Sequence, residues 1–171
     1  MKKILALLAA LVMVLACASV FAEGEMVELY KSDFTAPNMD GWAASGWPVP
    51  ECLVDDDGCF VIYNRSNDWD SVKKYFNLQP GAEYKISVEV YQDTEESAVF
   101  SVTFTGDEAN WRHLAEDDFQ VPKGEWTLLE GVMVIEETPY SQYALYVETP
   151  GFPKLDFKVR NFTIYGAEGT L

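Results

Sequence analysis

The sequence predicts an all-β chain, an antiparallel β-sandwich of the jelly-roll type, and three observations carry that expectation. No stretch after residue 22 keeps apolar residues at the 3.6-residue spacing of an amphipathic helix. Short runs alternate apolar and polar side chains instead. Turn residues rich in Gly, Pro and Asp separate those runs at short intervals. The strands expected in order are Val27 to Phe34, Cys59 to Tyr63, Val72 to Leu78, Glu83 to Gln92, Ala98 to Thr105, Trp111 to Ala115, Trp126 to Ile135, Gln142 to Glu148 and Leu155 to Tyr165. Gln79-Pro80-Gly81 opens the fourth, Gly106-Asp107 closes the fifth, Pro122-Lys123-Gly124 precedes the seventh and Thr149-Pro150-Gly151 closes the eighth. In the fourth, Tyr84, Ile86, Val88 and Val90 oppose Lys85, Ser87, Glu89 and Tyr91. In the fifth, Phe100, Val102 and Phe104 oppose Ser101, Thr103 and Thr105. Each of these two strands therefore buries one face.

Residues 1–22 read as a secretory signal peptide and 23–171 as one domain. Lys2 and Lys3 precede the apolar run Ile4 to Ala16, which is too short to span a bilayer, and Val20-Phe21-Ala22 forms a small-residue cleavage site. Cys17 opens a second reading, in which a lipid anchors the chain there. Bulky Leu15 and the good site at Ala22 favour ordinary cleavage, hence a secreted or periplasmic protein. A formal charge of −16 argues against nucleic acid and anionic membrane surfaces as partners and leaves a neutral ligand compatible. Most of those acids read as a solubilising surface. Export would let Cys52 and Cys59 form a disulfide across the turn Asp55-Asp56-Asp57-Gly58.

The eighth strand carries opposite chemistry on its two faces. Tyr143, Leu145 and Val147 share one side and read as core, while Gln142, Ala144, Tyr146 and Glu148 share the other. A ring and a carboxylate two residues apart suit a sugar, because the ring stacks on its C–H face and the carboxylate accepts from its hydroxyls. With His113 as the sole histidine and no nucleophile elbow or phosphate loop, familiar metal and acid–base constellations are missing, and the chain reads as a binder rather than an enzyme, with no cofactor. His113 itself reads as a surface or satisfied residue. Trp42 and Trp126 read as core.

Taken in order, several segments resemble a family 22 carbohydrate-binding module, a β-sandwich usually attached to xylanases. They are Phe34 with Asp40-Gly41-Trp42, then Asn64-Arg65-Ser66-Asn67-Asp68-Trp69-Asp70, then Leu78 to Tyr84, Pro122 to Gly131, Leu145 to Pro150, and Leu155-Asp156-Phe157. The resemblance implies a groove for xylan or a related β-glycan, lined by Trp69, Trp111, Tyr146 and Glu148, and association with secreted glycoside hydrolases. Arg65 joins that set as a donor to sugar hydroxyls, or else holds its own acidic loop in place.

The chain also departs from the family pattern. No arginine follows Gly41-Trp42, and Ala144 stands where a tyrosine is expected. Thr35 follows Phe34, and Arg160-Asn161 replaces an acidic pair that in related modules helps hold calcium, so no calcium is expected there. These departures keep a second reading open: an exported structural or interaction sandwich that has lost its sugar site.

Overall fold

Among the described residues of the computed structural model, which are 25–107, 110–136, 140 and 142–171, twelve strands and no helix build two antiparallel sheets. The segment read as a signal peptide, with Cys17, lies outside these residues. The strands are β1 (Val27–Lys31), β2 (Ala43–Ser45), β3 (Glu51–Val54), β4 (Phe60–Tyr63), β5 (Ser71–Phe76), β6 (Glu83–Tyr91), β7 (Ser97–Thr105), β8 (Arg112–His113), β9 (Phe119–Pro122), β10 (Thr127–Val134), β11 (Tyr143–Glu148) and β12 (Phe157–Gly166). The first sheet runs β10-β6-β12-β4-β3 with β1 added along β12. The second runs β2-β5-β11-β7-β8 with β9 added along β7. Every expected strand is present, some of them shortened. The three further ones, β2, β3 and β9, are too short to show a period of their own.

The inner faces meet in one core. Tyr84, Ile86, Val88 and Val90 of β6 and Phe157, Val159, Phe162 and Ile164 of β12 face Phe100, Val102 and Phe104 of β7 and Leu145 and Val147 of β11. Phe100 and Phe157 join the sheets edge to face, with ring centroids 5.2 Å apart. In β12 the inward set shifts phase, from Val159 to Phe162. A bulge between Arg160 and Thr163, with Asn161 at φ 52°, absorbs the extra residue. Arg160 and Asn161 both donate to Glu89, at 2.7 and 2.6 Å. Trp42 is core as expected, packed 4.6 Å from Phe162.

Two expectations are corrected. Trp126 is half-buried on the outer face of the first sheet, with the Arg160 guanidinium 3.9 Å above its ring. The phase of β10 explains this: Leu129 and Met133 point inward, so the even-numbered positions, Trp126 among them, face out. Cys52 and Cys59 are free thiols. Cys52 pairs in register with Ile62 and Val54 with Phe60, while Asp55 N–H donates to Cys59 O. The two cysteines thus sit three positions apart along one ladder, about 10 Å, on opposite faces of the sheet. That exceeds the reach of a disulfide. Alkylation of the unreduced, denatured domain is therefore expected to label both thiols; a product that takes up no label until reduced would contradict this register.

Candidate functional site

The outer face of the second sheet is hollowed into a cleft of about 490 Å³. Strand register sets its floor. Lys73 stands opposite Tyr146, Tyr146 opposite Thr103, and Thr103 opposite His113, so one row of side chains crosses four strands. Alternation along β11 sends Tyr143, Leu145 and Val147 into the core and turns Tyr146 and Glu148 to the cleft. Trp69, from the loop before β5, and Trp111, just ahead of β8, line it as well. Four side chains singled out from the sequence, Trp69, Trp111, Tyr146 and Glu148, therefore share one concave surface.

Their environments differ. Trp69 is 60% exposed, a ring open to solvent, whereas Tyr146 is only 5% exposed. The Trp111 ring meets Tyr146 at a tilt of 60° with centroids 4.9 Å apart, and the Lys73 ammonium lies 5.7 Å from the Tyr146 centroid. Tyr146 is thus a floor beneath Trp111 rather than the open platform that the strand pattern implies. Thr103 donates its hydroxyl to Glu148 Oε2 at 2.9 Å. Burial pushes the Glu148 carboxyl above the usual glutamate range, against the pull of the Thr103 hydroxyl and of His113. The cleft therefore combines flat apolar rings with an acceptor and a donor, the chemistry that a neutral polyhydroxylated ring needs.

Arg65 lies elsewhere. It is 4% exposed, and its five N–H groups donate to five backbone carbonyls, those of Asn67, Asp68, Asp70, Phe152 and Leu155. With its fork fully engaged inside the protein it has no donor left for a ligand, so the structural alternative stands and the ligand role is corrected. Burial lowers its pKa to about 10, although Asp70 and Asp156 nearby favour the charge. Asp70 completes the clamp by accepting from the backbone N–H groups of Ser66 and Asn67, at 2.8 and 3.0 Å. These contacts fix the loop that carries Trp69.

Comparison with known proteins follows the same lines. The family described as carbohydrate binding domain matches residues 28–155. The chain belongs to that family. This carbohydrate-binding domain is 28% identical over 144 residues to endo-1,4-beta-xylanase A of Thermoanaerobacterium saccharolyticum, a match covering 78% of the chain but only 12% of that xylanase's length. In structure it superposes on the CBM22-1 xylan-binding domain from Paenibacillus barcinonensis Xyn10C with a TM-score of 0.73 at 18% identity, covering 86% of this chain and 99% of that one. It also superposes on the CBM22-1 and GH10 modules of a Clostridium thermocellum endo-1,4-beta-D-xylanase complexed with xylohexaose, with a TM-score of 0.68 at 25% identity, covering 83% and 29%. The resemblance to family 22 modules read from the segment order thus holds in three dimensions.

The carbohydrate-binding domain also lines its cleft with Ser45, Gly46, Lys73 and Thr103, which the sequence did not mark as site residues, and with His113, which it marked as a surface or satisfied residue. His113 Nδ1 lies 2.9 Å from Ser101 Oγ and 3.5 Å from Asp118 Oδ1. Tyr75, exposed and two positions beyond Lys73 on the same face of β5, stands opposite Ala144. Alternation marks Lys73 and Tyr75 once Val72 and Phe76 are known to be buried, but two successive lysines blur that pattern in the sequence.

Proposed function

We propose that this domain is an exported, non-catalytic binder of xylan or a related β-glycan. The observation that carries the reading is the convergence of Trp69, Trp111, Tyr146 and Glu148 on one cleft from three separate chain segments. Flat, preformed rings lose little conformational freedom when a sugar stacks on them, and Glu148 and Lys73 lie within the same cleft to fix hydroxyls. The relatives support this choice of ligand: one is a xylanase and another is a module complexed with xylohexaose. Export rests on the leader over residues 1–22, followed by the domain over 23–171, with a lipid at Cys17 as the alternative. Association with secreted glycoside hydrolases follows from the company such modules keep.

A binding role without catalysis is supported by the arrangement around His113. Ser101 and Asp118 approach the same ring nitrogen, whereas a nucleophile relay requires hydroxyl and carboxylate on different nitrogens. The competing reading, a sandwich that has lost its sugar site, draws on the near-complete cover of Tyr146 and on Ala144.

Retardation of the domain in a native gel containing soluble xylan, with no release of reducing sugar, is the expected outcome; unretarded migration would favour the competing reading. Glu148 adds a pH signature. Its carboxyl accepts more strongly from sugar hydroxyls when ionised, and burial holds its protonation above the ordinary glutamate range. Binding is therefore expected to rise with pH through that window. Over the same window the domain gives up the small stability that the protonated form contributes, because the unfolded chain ionises at lower pH. In Glu148→Gln, a weaker but pH-independent affinity is expected across the same titration.

A further inference from the structure

Trp47 is the most exposed large apolar side chain among the described residues, 85% open to solvent, and it directly follows Ser45 and Gly46 of the cleft lining. A single exposed tryptophan needs no explanation by itself. What distinguishes this one is how firmly its backbone is held. Asn67 Nδ2 donates to Trp47 O at 3.0 Å and to Asp70 Oδ1 at 3.3 Å. Gly46 packs against the same carboxylate so closely that a Cβ there would stand 2.2 Å from Oδ1. Pro48 and Pro50 restrict φ on the other side of the tryptophan.

The β2–β3 loop and the Trp69 loop thus form one hydrogen-bonded unit around buried Asp70. That unit brings Trp69 to the cleft and carries Trp47 directly after Ser45 and Gly46 at its β2 edge, while Trp111 stands at the β8 side. An indole fixed by its backbone yet left in water is prepared to be covered by a ligand at little entropic cost.

We propose that Trp47 forms an additional sugar-stacking subsite beyond the β2 edge, so that the domain prefers glycan chains longer than the cleft floor. The proposal rests on the carbohydrate reading of the cleft and adds to it a requirement for chain length. From Ser45 on β2 to His113 on β8 the cleft spans five strands, about 19 Å at the usual interstrand spacing; a ligand that also reaches Trp47 must extend past it.

Calorimetric titration with linear xylo-oligosaccharides from xylobiose to xylohexaose tests this on the wild-type domain and on Trp47→Ala, with thermal melting of both as the folding control. For Trp47→Ala the expected result is a roughly tenfold loss of affinity for the longest oligomer, near-wild-type affinity for the shortest, and an unchanged melt. Wild-type affinity at every length would overturn the subsite and leave the cleft reading intact. Equal loss at every length would also overturn it, since Trp47 would then act on the whole cleft. Failure of the wild-type domain to bind any of the oligomers would remove the xylan reading together with the subsite.

Discussion

Replacing Arg65 with methionine should destabilise the domain by about 3–5 kcal/mol, the scale on which removal of a buried charged partner is felt. The side chain donates to five carbonyls drawn from two regions, the loop of residues 67–70 and the segment 152–155 that precedes β12. Methionine keeps much of the volume beside the Phe157 ring, 5.1 Å from the guanidinium carbon, but satisfies none of those acceptors. Buried acceptors left without a donor cost about 1–3 kcal/mol each where water cannot replace the lost bond. A melting midpoint lower by about 10 °C is expected for a domain of this size. Arg65→Lys should recover only part of this, because an ammonium has three donors and lacks the planar fork that spans both segments. Urea denaturation of the three proteins checks the order. A methionine variant as stable as wild type would mean that the five contacts contribute nothing net, and the account of the Trp69 loop would fall with it.

The sandwich was legible because its long strands bury one face each. β6 and β7 show inward and outward sets without interruption, and the inward sets are the ones found in the core. The short strands were not legible. β2 is three residues long and takes its conformation from pairing Ala43, Ala44 and Ser45 against Lys73, Val72 and Ser71, a non-local fact. The same limit governed the site. Tyr146 and Glu148 were readable as a shared face because they lie two apart on one strand. That Trp69 and Trp111 reach the same hollow came from the resemblance, since nothing in their local sequence fixes a distance to β11.

Arg65 and the cysteines show why adjacency in sequence misleads. Arg65 sits beside an acidic loop, and from the sequence a sugar and a backbone carbonyl are equivalent acceptors. Burial decides between them, and burial here depends on Phe152 and Leu155, 87 and 90 residues away. Cys52 and Cys59 flank a turn, which looks suited to a staple. The register of β3 on β4 sends them to opposite faces, and register is set by the whole sheet rather than by the turn.

Trp69→Ala is expected to weaken xylan binding by about 2 kcal/mol or more, roughly thirtyfold, while moving the melting midpoint little. The two effects separate because the ring is 60% exposed and its loop is held by Arg65 and Asp70 rather than by the indole. Trp111→Ala should behave differently. Its ring covers Tyr146, so truncation opens the cleft floor and removes a ring contact of about 0.5–1.5 kcal/mol, lowering stability and affinity together. Affinity electrophoresis in xylan alongside thermal melting reads both quantities on the same samples. The pattern that supports a sugar cleft is binding lost alone at Trp69, and binding with stability lost at Trp111 and at Arg65. Undiminished retention of Trp69→Ala would sink the cleft as the glycan site, because no other ring that lines it stands as open to solvent.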